Sequence, residues 1–296
     1  MDQASLLAGL GTPARAIRHQ ANGVTLHAVE AGPDDGPLVI LLHGFPEFWW
    51  GWRHQIAPLA EAGCRVVAPD QRGYNLSDKP GGVRAYDLDT LARDVVALAE
   101  ACGRRTFRLV GHDWGGLVAW WTATRHPDRV ERLVILNAPH PAVFRSYALT
   151  HPSQLMASSY VGFFQLPWLP ERTLARNGFA YLRGALRGSS RRGTFSDEDL
   201  ATYDAAWARP GALTGMLNYY RALRHRPKAP EARVSVPTLV LWGERDLFLE
   251  RGLAEASLAL CDRGRPVWFE TASHWLHIEE AEEVNEALVA FLADEA

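Results

Sequence analysis

The segment TFRLVGHDWGGLVA, residues 106–119, constrains the fold of this chain more than any other stretch. Its apolar residues at 107–110 are typical of a short buried strand, and residues 117–124 fit the start of a helix. A strand, a sharp turn and a helix in this order make a nucleophile elbow, in which the turn lifts one side chain clear of the sheet. Glycines two positions before and two positions after that side chain suit a turn too tight for a Cβ. The residue at the tip of the predicted turn is Asp113.

An aspartate at this position changes the chemistry from that of a serine hydrolase. A carboxylate with a reference pKa of about 3.9 is ionised at neutral pH, so it attacks without a base to remove a proton. Attack by Asp113 would leave an ester on its side chain. The pentapeptide also fits a loop whose aspartate caps a helix, which is a common role for this residue. The surrounding strand and helix, and the partners described below, favour the nucleophile.

Composition limits the kind of partner. The 296 residues carry a net charge of −3, which indicates neither a basic nucleic-acid surface nor an acidic tail. No stretch is apolar for long enough to span a bilayer, and the N-terminus lacks the pattern of a signal peptide. Three cysteines without metal-like or redox spacing favour a reducing compartment. We therefore expect a cytoplasmic protein with a small-molecule partner, and with no nucleic-acid or membrane partner.

Short apolar runs alternate with helical patterns along much of the chain, which predicts a mostly parallel sheet covered by helices. The predicted strands lie at residues 24–29, 38–42, 65–68, 107–110, 133–136, 238–242 and 267–269. A helix is predicted at 89–101, where the apolar residues share one face. The core is expected to hold Trp120, Trp121, Trp242 and Trp268.

The alternation stops after Leu136 and resumes only at Val236. The stretch between them predicts helices at 153–164, 171–186, 197–207 and 212–223, and prolines bracket it at 139, 141, 227 and 230. We interpret residues 139–230 as a helical lid inserted into an α/β core made of residues 1–138 and 231–296.

Hydrolysis of an ester on Asp113 requires a base that activates water, and histidine suits that role near neutral pH. His274 follows the last predicted strand through a short turn, which places it at the carboxyl edge of the sheet. His277, one helical turn later, is expected to support the site or face solvent. His112 adjoins the nucleophile, and an elbow neighbour points away from the site and serves packing.

The base needs an acid that fixes its tautomer. Asp246 lies in a loop just after the predicted strand 238–242, and Glu244 is a nearby competitor. The order Asp113, Asp246, His274 favours Asp246, because nucleophile, acid and base follow one another in this way in the α/β-hydrolases.

The tetrahedral intermediate of ester hydrolysis needs donors for its oxyanion. The motif HGFPEF, residues 43–48, directly follows the predicted strand 38–42. The backbone N–H groups of Phe45 and Trp114 are therefore expected to form an oxyanion hole.

Taken together, these motifs resemble one family, the epoxide hydrolases of the α/β-hydrolase fold. The matching motifs run over nearly the whole chain: HGFPEFWWGWRHQ, APDQRGYNLSDKP, GHDWGG, NAPHP, SSYVGFFQLPWLPE, PGALTGMLNYYR, LWGERD and ASHWLHIEE. The resemblance implies a mostly parallel central sheet flanked by helices, with an inserted helical lid. It also implies an enzyme that converts an apolar epoxide and water to a vicinal diol through an aspartyl ester, without metal or cofactor.

Members of this family place two lid tyrosines on the epoxide oxygen, and the matching positions here are Tyr160 and Tyr220. Ring opening leaves an alkoxide, a far stronger base than phenolate, so a phenol with a reference pKa of about 10 can protonate it. Tyr219 would point away from its neighbour on a helix and is expected to serve packing. Phe45, Trp114 and Trp168 are expected to wall an aromatic pocket.

Dehalogenases are the nearest alternative, because they use the same aspartyl ester. Haloalkane dehalogenases typically carry Asn where Phe45 stands, and fluoroacetate dehalogenases carry arginines at the positions of Trp114 and Leu117. Some dehalogenases place the acid at the position of Asn137, which has no charge. These three departures disfavour dehalogenation.

A further alternative is an α/β-hydrolase protein that binds a small hydrophobic molecule without catalysis. The complete set of nucleophile, acid, base and two tyrosines argues against this, because a binder has no need of it. A serine-type esterase is disfavoured by Asp113 itself.

Overall fold

The computed structural model describes residues 2–225 and 233–293. Within them, eight strands form one sheet in the order β1-β2-β4-β3-β5-β6-β7-β8. The strands are β1 Ala14–Ala21, β2 Val24–Ala31, β3 Leu38–Leu42, β4 Arg65–Pro69, β5 Phe107–His112, β6 Val130–Leu136, β7 Thr238–Gly243 and β8 Gly264–Phe269. Pairing is antiparallel from β1 to β2 and from β2 to β4, and parallel from β4 onwards. The predicted mostly parallel sheet is confirmed.

The sequence pattern did not predict β1. Half of its sequence, ARAIRHQA, is polar, and every residue except the last, Ala21, is exposed or half-buried. An edge strand has one neighbour and little apolar surface to bury, so its hydrophobic signal is weak and its charges discourage pairing with another chain. The opposite edge strand, β8, explains a second difference. Trp268 lies on it half-buried, with the Arg251 guanidinium 4.1 Å from its ring, and is not a core residue.

Helices pack against the sheet. They are α1 Gln3–Ala8, α2 Ile56–Glu61, α3 Leu88–Ala101, α4 Trp114–Arg125, α5 Pro141–Thr150, α6 Pro152–Ala157, α7 Tyr160–Phe164, α8 Leu169–Gly188, α9 Asp197–Trp207, α10 Ala212–Ala222, α11 Arg251–Leu258, α12 Leu276–Glu279 and α13 Ala281–Ala293. None of the described helices combines the length and the apolar character needed to cross a bilayer.

Helices α5 to α10 all lie between β6 and β7 in the chain, within the stretch predicted as a lid. The helix predicted at 153–164 is two short helices, and α5 precedes them. Helix α8 is interrupted where Asn177, Gly178 and Phe179 take positive φ values of 52°, 62° and 61°. The prolines at 227 and 230 and the boundary between 230 and 231 lie outside the described residues. The division into lid and core therefore stays a prediction.

Candidate active site

The turn between β5 and α4 holds Asp113 in a strained conformation. Its φ of 49° and ψ of −119° lie outside the regions that ordinary residues favour. A Cβ on Gly115 would lie 2.1 Å from the carbonyl oxygen of Leu42, and one on Gly111 would lie 2.4 Å from the oxygen of Gly115. The glycines therefore allow the turn to pack against β3. The helix-cap interpretation requires a hydrogen bond from the Asp113 side chain to the first turn of α4. The side chain makes no such bond.

The carboxylate of Asp113 is held by two neighbouring groups. The backbone N–H of Phe45 donates to Oδ1 at 2.7 Å, so the predicted donor reaches the carboxylate itself. The other oxygen, Oδ2, lies 3.7 Å from Nε2 of His274. Gly44 makes this possible, because a Cβ there would lie 2.4 Å from the Cβ of Asp113. The second expected donor, Trp114, is the first residue of α4.

His274 lies after β8, and Nδ1 of its buried ring is 2.7 Å from Oδ2 of Asp246. Burial alone would lower the pKa of His274, but the charge and hydrogen bond of Asp246, assisted by the charge of Asp113, raise it above its ordinary value. The competing acid Glu244 instead pairs with Arg251 at 2.6 Å. The structure thus brings together the three residues predicted as nucleophile, acid and base.

Asp246 is itself fixed by donors that the sequence did not reveal. The amides of Phe248 and Leu249 donate to Oδ1 at 2.7 and 3.1 Å. The side chain of Asn137 donates to Oδ2 at 2.6 Å, while its oxygen accepts from the N–H of Gly243 at 2.7 Å. Asn137 lies just after β6, so the ends of adjacent strands supply the acid and its support. The sequence marked Asn137 only as the position where some dehalogenases place the acid, and not as a support for Asp246.

A buried cluster lies behind the histidine. Nδ1 of His112 is 3.2 Å from Oε2 of Glu47, and its Nε2 donates to the carbonyl of His274 at 2.9 Å. Burial opposes ionisation of Glu47, but His277 and His112 hold the pKa of its carboxyl well below its ordinary value. Tyr203 on α9 donates to the other oxygen of Glu47 at 2.8 Å. His112 therefore does more than fill space, because it contacts the backbone of the proposed base.

His277 is fully buried and does not face solvent. Burial and the neighbouring His112 lower its pKa to about 4, so it is neutral near neutral pH. Its Nε2 lies 3.4 Å from Glu47 without hydrogen-bond geometry. Ligand atoms of these three residues lie within 4.8 Å of one another, close enough for a metal ion. Glu47 and His112 have protein hydrogen bonds, whereas neither ring nitrogen of His277 has a hydrogen-bond partner among the described residues.

Two cavities meet at Asp113. Both have Asp113, Tyr160 and Tyr220 in their walls. His274 lines the first cavity and Trp114 the second. The remaining walls are mostly apolar and include Phe45, Phe164, Phe248 and Trp275 on one side and Leu117, Phe144, Val161 and Leu249 on the other. The nucleophile thus faces space suited to an apolar guest on both sides.

Tyr160 on α7 and Tyr220 on α10 bring their rings to 5.9 Å across this space. Burial raises the pKa of both phenols, and the negative charge of Asp113 raises them further. Both hydroxyls therefore remain protonated donors. Tyr219 points elsewhere and donates to the carbonyl of Arg72 at 2.8 Å, in line with the expected packing role.

The prediction that Trp168 walls the pocket is wrong. The side chain is 59% exposed and lines neither cavity. Trp168 precedes α8 in a left-handed conformation, and the Arg172 guanidinium covers its ring at 4.9 Å on the outer surface. Phe164, four residues earlier, lines the first cavity instead. Aromatic character alone could not tell the inner residue from the outer one.

Comparison with known proteins places these features in a wider group. The family described as alpha/beta hydrolase fold matches residues 37–281. The chain is 46% identical to AB hydrolase superfamily protein YfhM of Bacillus subtilis, over 93% of this chain and 96% of that protein. It is 40% identical to Epoxide hydrolase 4 of Homo sapiens, over 94% of this chain and 78% of that protein.

A solved structure of an epoxide hydrolase is also similar to this chain. The crystal structure of Bacillus megaterium epoxide hydrolase in complex with an inhibitor superimposes with a TM-score of 0.85 at 31% identity. It covers 94% of this chain and 100% of that chain.

Proposed function

Because this chain belongs to the epoxide hydrolases of the α/β-hydrolase fold, we propose that it converts an apolar epoxide to a vicinal diol through an ester of Asp113. The observation that carries this proposal is the position of one carboxylate between two cavities, with Tyr160 and Tyr220 in both walls. A single site then supplies a nucleophile and two acids to the same small guest.

In the first step, Oδ2 of Asp113 attacks a ring carbon, since Oδ1 is already occupied by the Phe45 N–H. The carbon–oxygen bond of the epoxide breaks as the new ester bond forms. The hydroxyl of Tyr160 or Tyr220 donates its proton to the departing oxygen, which becomes the first alcohol of the product.

In the second step, His274 removes a proton from water, and the resulting hydroxide attacks the carbonyl carbon of the ester. The oxyanion that forms accepts hydrogen bonds from the N–H groups of Phe45 and Trp114. Its collapse breaks the ester bond, releases the diol and leaves one water oxygen on Asp113. The proton left on the attacking hydroxide passes to the released oxygen of the diol. Asp246 stabilises the protonated imidazole, whose proton then returns to the tyrosinate left by the first step.

The same proposal assigns residues 139–230 as the lid and residues 1–138 and 231–296 as the core. Helices of this stretch carry both tyrosines, which supports a lid that completes the site. Three cysteines without a disulfide among them support a cytoplasmic location.

The covalent step is tested by replacing the residues that make and break the ester. Asp113→Ala should abolish turnover of styrene oxide while the circular dichroism spectrum stays unchanged. His274→Gln should form the ester without hydrolysing it, so mass spectrometry should find a substrate-sized adduct on the peptide that contains Asp113. A folded His274→Gln protein that gains no adduct from an epoxide turned over by the wild type would contradict the mechanism.

Single turnover in heavy-oxygen water gives an independent test. The first diol should carry an oxygen from Asp113, and solvent oxygen should appear only in later turnovers. Solvent label in the first diol would indicate direct hydration. Bromoalkanes and aryl esters serve as control substrates, and release of halide without diol formation would favour a dehalogenase.

A further inference from the structure

Residues 139–170 expose an unusual amount of apolar surface. This stretch includes α5, α6 and α7, and Leu149, Leu155 and Met156 are 72%, 56% and 76% exposed. Three more large apolar side chains follow at its end, Leu166, Trp168 and Leu169. We call these six residues the outer apolar face. Most of the large exposed hydrophobic side chains in the described part of the chain belong to it.

Two of these helices, α5 and α7, also line the cavities. Phe144 on α5 and Tyr160, Val161 and Phe164 on α7 contact the space above Asp113. Helix α6 is anchored to the core by Gln154, which is buried and donates to the carbonyl of Phe248 at 2.7 Å. Helix α5 therefore carries Leu149 of the outer apolar face as well as the cavity residue Phe144.

Positively charged residues outnumber acidic residues in the stretch of chain that contains the outer apolar face. Residues 139–170 contain no Asp or Glu, and their single charged residue is Arg145, four positions before Leu149 on α5. Arg145 is exposed, and Arg172 lies over the ring of Trp168. Residues 139–225 hold ten arginines and five acidic residues, although the whole chain has a net charge of −3. The excess of arginines thus lies in the stretch of chain that contains the outer apolar face, and four of the ten are paired with acidic side chains.

We infer that the outer apolar face binds the surface of an anionic lipid bilayer and receives lipid-dissolved epoxides there. Leucine and methionine side chains insert among the outer acyl groups, tryptophan suits the headgroup region, and arginines attract the anionic headgroups. Peripheral contact needs no spanning segment, so it is compatible with the helices described. It departs from the sequence-based expectation of no membrane partner.

The inference rests on the proposed function for the nature of the guest, but not for the binding itself. Flotation with vesicles of phosphatidylcholine and phosphatidylglycerol measures binding without any turnover. Wild-type protein should float with these vesicles, less with phosphatidylcholine alone, and less again at high salt. Arg145→Ala should lower the partition coefficient about fivefold, the factor for about 1 kcal/mol per arginine near an anionic surface.

The variant Leu155→Glu/Met156→Glu places two acids on the face and should lose vesicle binding. Both residues lie outside the cavities, so its turnover of water-dissolved styrene oxide should equal that of the wild type. Val267→Glu is the matched control, since Val267 is an exposed apolar residue on β8 and its variant should float normally. A wild-type protein that binds vesicles but turns over no epoxide would contradict the proposed function and would not contradict membrane binding.

Three results would overturn the inference. The first is a wild-type protein that does not float at low ionic strength. The second is equal binding by the wild type and the double variant. The third is a concentration-dependent dimer that the double variant abolishes, without vesicle binding, because the face would then be an interface between two copies.

Discussion

At the residue scale, the proposed base contacts two carboxylates, of which only one keeps its charge through the reaction. Asp246 remains ionised, but Asp113 becomes a neutral ester. Both charges raise the pKa of His274 in the resting enzyme. That pKa should therefore fall when the ester forms, which leaves more of the imidazole neutral at the moment when it must take a proton from water.

A pH profile tests this argument. Protonation of His274 removes the base, so ester hydrolysis should fall as the pH falls through the pKa of His274 in the ester. In single-turnover kinetics this midpoint should lie below the pKa that NMR measures for the same ring in the resting enzyme. Asp246→Asn removes the largest contribution that raises the pKa and should lower both values. An unchanged pKa in that variant would contradict the assignment.

The two lid tyrosines share the proposed acid role. Removing either hydroxyl should slow the reaction more than removing the hydroxyl of the neighbouring Tyr219. Tyr160→Phe and Tyr220→Phe should each lower the rate of ester formation about 10²-fold, within the range for general acid catalysis. The double variant should be nearly inactive. Tyr219→Phe is the control: it loses a buried bond to Arg72 and some stability, but its rate should stay within about twofold of the wild type. Stopped-flow tryptophan fluorescence reports the ester step.

Asn137 acts through another residue and should be detected by a different readout. Asn137→Ala frees Asp246 from one donor and leaves the buried N–H of Gly243 without its acceptor. We expect kcat to fall about tenfold at an unchanged KM, and the free energy of unfolding to fall by about 1–3 kcal/mol. The ester should accumulate in the steady state, because its hydrolysis is the impaired step. A KM effect alone would indicate a pocket distortion.

At the element scale, the elbow joins β5 to α4 through close backbone contacts. Gly115→Ala would place a Cβ 2.1 Å from the backbone oxygen of Leu42, and backbone on both sides resists movement. We expect a loss of about 3 kcal/mol in the free energy of unfolding, measured with urea. Gly184→Ala is the control within α8, where no atom lies within 4 Å of the added Cβ. It should be neutral or stabilise by about 0.5–1 kcal/mol. Equal effects of the two substitutions would show that the elbow can adjust.

The elements predicted best from the sequence are those with strong hydrophobic signals. Strand β3 and helix α3 appear nearly as their patterns predict, because burial fixes which residues are apolar. Strand β1 carries little apolar surface and was not predicted. The helix predicted at 153–164 breaks at Ser158 and Ser159, between α6, which Gln154 anchors to Phe248, and α7, which directs Tyr160 and Phe164 into the cavity. A local sequence pattern does not show that two successive segments pack against different parts of the protein.

The candidate site shows the same limit. Asp113, Asp246 and His274 could be predicted because each follows a strand, and the ends of parallel strands meet at one edge of the sheet. Asn137 and His112 support these residues through hydrogen bonds that only the folded chain defines. Trp168 was misplaced because a turn of the backbone before α8 directs it outwards. Residue type predicts an aromatic pocket but not which aromatic residue enters it.

At the scale of the whole molecule, the proposed lid and the α/β core form one hydrophobic cluster, which contains Leu174 and Trp207 together with the central strands. Trp207 on α9 also donates to the carbonyl of Pro46 at 2.6 Å, in the loop that holds Phe45. A lid bound in this way has no core of its own to keep it folded when the sheet unfolds. The chain should therefore unfold as one cooperative unit.

Urea unfolding followed by far-ultraviolet circular dichroism and by tryptophan fluorescence should give a single coincident transition. Trp207→Phe removes the bond to Pro46 and should shift both curves together by about 1–3 kcal/mol. The control Trp168→Phe, on the outer surface, should leave the midpoint within about 0.5 kcal/mol. If the lid were a separate domain, the two probes would diverge and Trp207→Phe would shift only the weaker transition. The tyrosines and the nucleophile would then come from units that fold separately.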